Sequence, residues 1–436
     1  MKHTRITFAA AAVAAAALTL TACGGGGGGS ADPGTAGTLD PEEQVTITMT
    51  WWGNDDRADR YNQAIELFNE EYPNITVQAS FSAWDDYWTA RATEAAGNSL
   101  PDVMQTDLAY LSQFGNRSQF LDLTPYIDNG IDGSGMSESL LDSGKVGDAL
   151  VGIPQSTNTL ALFYNPATLA TLGVDAPEAE QTWDEFVQWN VAAAEAGAGL
   201  DPQLWGTGDF TGVFWLFVQH LVQEGVDVFT DDGQVAFGEQ DIVDWLNVTA
   251  PLRDADQFMS PEATAQLDPL GGFTANLVGT EFSWDNFLAG YLTDSGAESI
   301  EMLPLPVGSN GEHGQFFKPS MLLSASANSE HPEAAAALID FITNDPEVGT
   351  IFGTSRGVPA SESARSQLST EGADAQVIGF EEEWADVITE STPVLPEGYG
   401  SIEAEWLRLA SELAYKNITV EDFASQWLSF AGQTLS

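Results

Sequence analysis

Polar and apolar residues alternate from Val45 to Trp52, as Val-Thr-Ile-Thr-Met-Thr-Trp-Trp. A period of two predicts a half-buried strand. Gly53-Asn54-Asp55-Asp56 follows with turn and cap chemistry. Tyr61, Ile65, Phe68 and Tyr72 then recur at spacings of 4, 3 and 4, one face of a helix. Pro73-Asn74 stops it. Ile75 to Phe81 reads as a second strand, Trp84 to Ala96 as a helix, Pro101 to Thr106 as a strand and Leu108 to Phe114 as a short helix. Strands alternating with helices predict an α/β domain with a largely parallel sheet. Ligands of such sheets bind past the carboxyl ends of the strands. Those ends are Trp52 to Asn54, Ser82 to Trp84, and Asp107.

Two apolar runs, Leu150 to Ile153 and Leu160 to Tyr164, flank a polar segment from Pro154 to Thr159. Proline fixes φ and lacks a donor, so a single central strand is not expected to run through it. The segment fits either a crossing between two domains or a hairpin inside one. Beyond Pro166, helices are predicted at 166–172, 182–196, 211–224, 239–252 and 286–294, with a capping box at Thr182 and Glu185. Asp231-Asp232-Gly233 reads as a hairpin turn. Strands follow at 280–284, 299–303 and 316–324, and helices at 332–343 and 346–352. The last hundred residues are mostly helical.

Composition adds a compartment. Lys2 and Arg5 precede an apolar run from Ile6 to Leu20, shorter than the ~20 residues of a membrane span. This is the layout of a signal peptide. Its exit, Leu20-Thr21-Ala22-Cys23, resembles a bacterial lipobox, whose cysteine becomes the lipid-bearing first residue. Cys23 is the single cysteine, so no disulfide is available. Residues 1–22 are then the signal peptide and 23–44, rich in glycine, a flexible tether. Acidic residues number 65 against 13 basic, for a net charge of −52. Such a chain repels nucleic acid, which is excluded as a partner.

Several stretches carry a family resemblance. They are WWGNDDRADRYNQAIELFNEEYPNITV, LPDVMQTDLAYLSQF, VGIPQSTNTLALFYNPATLATLGVD, TEFSWDNFLAGY, IEMLPLPVG, FFKPSMLLSASANSEHPEAAAALIDFITNDPE and RGVPAS. In this order they resemble the extracellular solute-binding lipoproteins of ABC transporters, in the carbohydrate-binding, maltose-binding-protein-like group (family 1). The resemblance implies a two-lobed periplasmic-binding-protein-like fold (type II), each lobe a sheet flanked by helices, with the ligand cleft between. It implies lobe 1 at 45–154 plus 322–355 and lobe 2 at 155–321 plus 356–436. It implies a monomer, without cofactor or catalysis, that binds a saccharide and delivers it to the permease transmembrane subunits. The membrane is then reached through lipid on Cys23, on the extracytoplasmic face. The same fold with a non-sugar solute, and a surface glycoside hydrolase or lyase, stay open as alternatives.

A sugar offers C–H faces to aromatic rings and hydroxyls to fixed donors and acceptors. Trp284 lies in the SWDNF stretch, where the resemblance places a sugar-stacking tryptophan. Trp52 ends the first strand and Trp215 opens a helix. Asp107 follows the third strand and can accept charge-assisted bonds from hydroxyls. Arg356 begins Arg-Gly-Val-Pro, which in the family borders the cleft. Asn54, Gln155 and Asp285 complete the candidate set, with Lys318 as a further position. Each has a plainer reading: core packing for a tryptophan, a helix cap for Asp107, a turn or cap for Asn54, Gln155 and Asp285, an ion pair for Arg356, a surface site for Lys318. Gly353-Thr354-Ser355-Arg356-Gly357 matches a nucleophile elbow, but a helix precedes it and no histidine follows. His3, His220, His313 and His331 have no metal-ligand spacing.

Overall fold

The structure, a computed structural model, describes residues 37–435 apart from 231, 268, 269, 370, 389 and 394. Cys23, the signal segment, the tether through residue 36 and Asp231 of the expected turn lie outside the described residues. The tether was expected to reach residue 44. From Leu39 onward it instead packs against the first core, and the Asn74 amide donates to the carbonyls of Asp40 and Glu43.

The strands of the two main sheets are β1 (Val45–Trp52), β2 (Ile75–Ser82), β3 (Val103–Thr106), β4 (Ile153–Asn158), β5 (Leu160–Tyr164), β6 (Thr280–Trp284), β7 (Glu301–Leu303), β8 (Phe316–Ala325), β9 (Val358–Pro359) and β10 (Glu390–Ser391). The first sheet has the order β9-β4-β8-β3-β1-β2, with β10 also paired to β8. Its β1, β2 and β3 are parallel, while β8 runs antiparallel to both β3 and β4. The second sheet, β6-β5-β7, is antiparallel.

The polar segment after Pro154 is not a loop. It is β4, paired along β8 from Leu323 back to Lys318. Proline is tolerated because it is the second residue of the strand, where β9 has not yet begun to pair. β4 ends at Asn158 and β5 begins at Leu160, so the chain changes sheets across Thr159 alone. Thr159 is fully buried and pinned: its N–H donates to Asp285 Oδ2 at 3.3 Å, its hydroxyl to the Phe316 carbonyl at 3.0 Å, and its carbonyl accepts from Asp285 N–H at 3.0 Å.

Three helices follow the first strands. α1 (Asp55–Glu71) is capped by Asn54, and α2 (Trp84–Ala96) and α3 (Leu108–Gly115) fall where the patterns predict. Ile47, Met49 and Trp51 of β1 join Tyr61, Ile65 and Phe68 of α1 and Leu338, Ile339 and Ile342 of the Pro332–Asn344 helix in one core. A second core gathers Phe214 and Phe217 of α4 (Phe214–Gln223) with Trp245, Trp406, Phe423 and Trp427. Trp406 belongs to α5 (Tyr399–Ala414). The helix expected at 239–252 is two, Glu239–Asn247 and Ala250–Asp254, because Pro251 cannot donate inside a continuous helix.

Candidate ligand site between the two sheets

Lys318 lies near the start of β8, opposite Asn158 of β4. It is one of four lysines in the chain and is buried, not on the surface. Its ammonium donates to the Pro319 carbonyl at 3.2 Å and sits 4.6 Å from the Trp284 ring centroid and 5.8 Å from that of Trp215. Cation–π attraction of this kind strengthens as water is excluded. Trp284 ends β6 and meets Trp215, in the first turn of α4, edge to face at 5.5 Å. Tyr399 also packs on Trp215, at 5.4 Å.

Three carboxylates face this group. Asp107 caps α3, its Oδ1 accepting from Ala109 N–H at 2.9 Å, so the cap reading holds. It also faces Lys318 and Glu403. Glu403 is on α5, one turn after Tyr399, and is hydrogen-bonded to Trp215. Loss of hydration pushes its carboxyl up to about 7; Asp107 adds to that, and Lys318 and Trp215 oppose it. Burial pulls the Lys318 ammonium down, while Asp107, Glu403 and Asp285 hold it up.

Asp285 sits behind Trp284, fully buried, against Thr159 and hydrogen-bonded to Glu381 of the Gly372–Glu383 helix. Burial pushes Asp285 up to about 7, and burial beside Asp285 raises Glu381 well above its ordinary range. Two carboxyls in contact hold one shared proton. Asn286 accepts from the Asn158 amide at 3.1 Å. These residues fasten the sheet crossing.

Asp107, Trp215 and Trp284 therefore converge, with Asp285 behind them. Four other candidates do not join them. Trp52 is buried in an aromatic cluster with Trp84, Tyr87 and Trp88 that extends to Tyr110 of α3, and the ring exposed there is Trp84. Asn54 only caps α1, accepting from Arg57 N–H at 3.0 Å. Gln155 is buried in β4, 3.0 Å from Tyr61 OH and bonded to Arg356. Arg356 lies 3.4 Å from the Phe352 ring centroid, bonded to Tyr61 and Gln155. A guanidinium stacked and bonded in this way ties the Pro346–Phe352 helix and α1 to β4 through Nη1, while its Nε has no hydrogen-bond partner. Glu403 and Tyr399 went unseen in the sequence. Their signal was an i, i+4 pair beside the apolar face of a helix, and only the fold says what that pair meets.

A cavity of about 1240 Å³ opens at the far end of α3, between Arg117 and Lys145 on one side and Phe229, Pro396 and Glu397 on the other. Among the described residues no cluster of His, Cys, Asp and Glu could hold a metal ion, and no helix is long and apolar enough to cross a membrane.

The family model described as "Bacterial extracellular solute-binding protein" matches residues 54–348, more than half of the chain. The maltodextrin-binding protein MdxE of Bacillus subtilis is 23% identical over 318 residues, covering 70% of this chain and 72% of that one. A family 1 extracellular solute-binding protein from Alicyclobacillus acidocaldarius is 26% identical, with a TM-score of 0.68 over 91% of this chain and 100% of that one. A periplasmic oligogalacturonide-binding protein from Yersinia enterocolitica, solved with saturated digalacturonic acid, is 22% identical, with a TM-score of 0.77 over 90% of this chain and 100% of that one. The fold is thus the α/β, two-lobed periplasmic-binding-protein-like class.

Proposed function

We propose that this chain, which belongs to the bacterial extracellular solute-binding protein family, is the saccharide-binding component of an ABC importer. With lobe 1 as 45–154 plus 322–355 and lobe 2 as 155–321 plus 356–436, the site draws on both. Asp107 comes from lobe 1; Trp215, Trp284, Tyr399 and Glu403 come from lobe 2; Lys318 sits at the boundary, on β8 of the first sheet. The observation that carries the reading is this set: packed aromatic faces beside an ammonium and two carboxylates, which suits a ring with C–H faces and a rim of hydroxyls. The maltodextrin-binding relative supports it. The protein binds without turnover, closes about the crossing at Thr159, and works as a monomer. Lipid on Cys23 holds it at the extracytoplasmic face, where it hands the sugar to the permease.

Calorimetric titration with mono- and oligosaccharides should give saturable heat with no product formed. Silence across a broad panel, or turnover of a sugar, would sink the reading. Trp284→Ala should lower affinity by roughly tenfold or more, because it removes both a stacking face and the wall against Lys318. Unchanged affinity would remove Trp284 from the site.

A further inference from the structure

The site's charge points to a narrower ligand class. We propose that it takes an uncharged saccharide, or one bearing a protonated amine, and turns away sugars that carry a carboxylate. This rests on the saccharide reading above and goes beyond it. The fold does not decide the point, since a similar fold binds oligogalacturonide.

A uronate needs cations with free donors, best of all a guanidinium fork. Among the described residues, Lys318 is the cation at the site, and Asp107, Glu403 and Asp285 already face it. The guanidiniums around the first sheet already bond to the chain itself. Arg57 donates to the Trp52 carbonyl, Arg60 to the Ile351 carbonyl and Arg356 to Gln155. Arg117 and Lys145 line the cavity at the far end of α3 but are paired with Glu397 and Asp142. The other described basic residues are bonded elsewhere.

Above about pH 7, once Glu403 ionises beside Asp107, a carboxylate entering here would meet more negative charge than positive in poorly hydrated surroundings, where like charges repel strongly. Hydroxyls meet no such barrier. An ammonium has three donors, and Lys318 uses one on Pro319, leaving two for hydroxyl oxygens. Asp107 and Glu403 accept from hydroxyls, or from an amine.

The groups facing Glu403 are Asp107 of α3, Lys318 of β8, Trp215 of α4 and Tyr399 of its own helix. With its carboxyl raised to about 7, Glu403 is mostly ionised at pH 8 and mostly protonated at pH 5. Discrimination against acid sugars should therefore be strong at pH 8 and weaker at pH 5.

The test is calorimetry on the intact protein with matched disaccharides. Gluco-, galacto- and manno-configured pairs are each supplied in neutral and uronate form. For whichever configuration binds, the neutral sugar should bind tighter by roughly tenfold or more at pH 8, with a smaller gap at pH 5. Glu403→Gln, which keeps an acceptor for Trp215, and separately Asp107→Asn should narrow the gap at pH 8. A uronate that binds as tightly as its neutral partner at pH 8 overturns the proposal. If no member of any pair binds, the saccharide reading itself falls.

Discussion

Asp285, Glu381, Glu281 and Glu403 are four acids that burial holds more protonated than they would be in an unfolded chain. Burial raises Asp285, Glu281 and Glu403 to about 7, and burial beside Asp285 holds Glu381 well above its ordinary range. Unfolding restores ordinary acidity and releases their protons. Their contribution to stability is thus full below about pH 4 and is lost as pH rises through about 7. The melting temperature at pH 5 should exceed that at pH 8 by several degrees, because ~1 kcal/mol moves a chain of this size by a few degrees. Thermal melts in 0.5 M NaCl at both pH values check this, with general repulsion screened. Asp285→Asn, which cannot ionise, should shrink the gap, and equal melting temperatures would refute the assignment. Such residues are poorly legible in a sequence. Trp284 could be placed because it ends a strand inside a distinctive stretch. The burial of Lys318 could not be foreseen, because the carboxylates that compensate its charge come from segments some 200 and 85 residues away in the chain, at Asp107 and Glu403. The surroundings of Arg356 were hidden for the same reason: proximity to Gly and Pro turns says nothing of the Phe352 ring it stacks on.

Among the elements, α5 links core and site. Tyr399 and Glu403 meet Trp215 at the proposed site, while Trp406 and Leu409, fully buried like Tyr399, lie deeper in the second core. Trp406→Ala should cost ~3–5 kcal/mol, the range for emptying a large aromatic site. It should also weaken saccharide binding by letting the helix shift. Urea denaturation alongside calorimetry separates the two effects, and a loss under ~1 kcal/mol would argue against this packing. Helices and first-sheet strands were legible because their signals are local: periodicity, caps, prolines. The β4 strand was not. Its polar, proline-bearing sequence acquires strand geometry only from β8, a partner some 160 residues later, and no local window contains that pairing.

At the scale of the whole molecule, a net charge of −52 sets a background of self-repulsion. Raising NaCl from 0.05 to 0.5 M should therefore raise the melting temperature at pH 8, since the Debye length falls below ~10 Å over that range. A fall would mean that the few ion pairs outweigh the repulsion. The order of the first sheet has a consequence for how the protein is made. Its centre, β8, is drawn from residues 316–325, so β3 and β4 have nothing to pair across until three-quarters of the chain has been synthesised. A nascent chain cannot complete this sheet early, and late, long-range closure is slow. A fragment ending at residue 310 should accordingly lack cooperative unfolding and be degraded quickly by added protease, whereas the full chain resists; a protected fragment would show that β1 to β3 fold alone. The strand that locks the sheet is thus among the last to be made, and the edge of β3 stays open for most of the chain's synthesis.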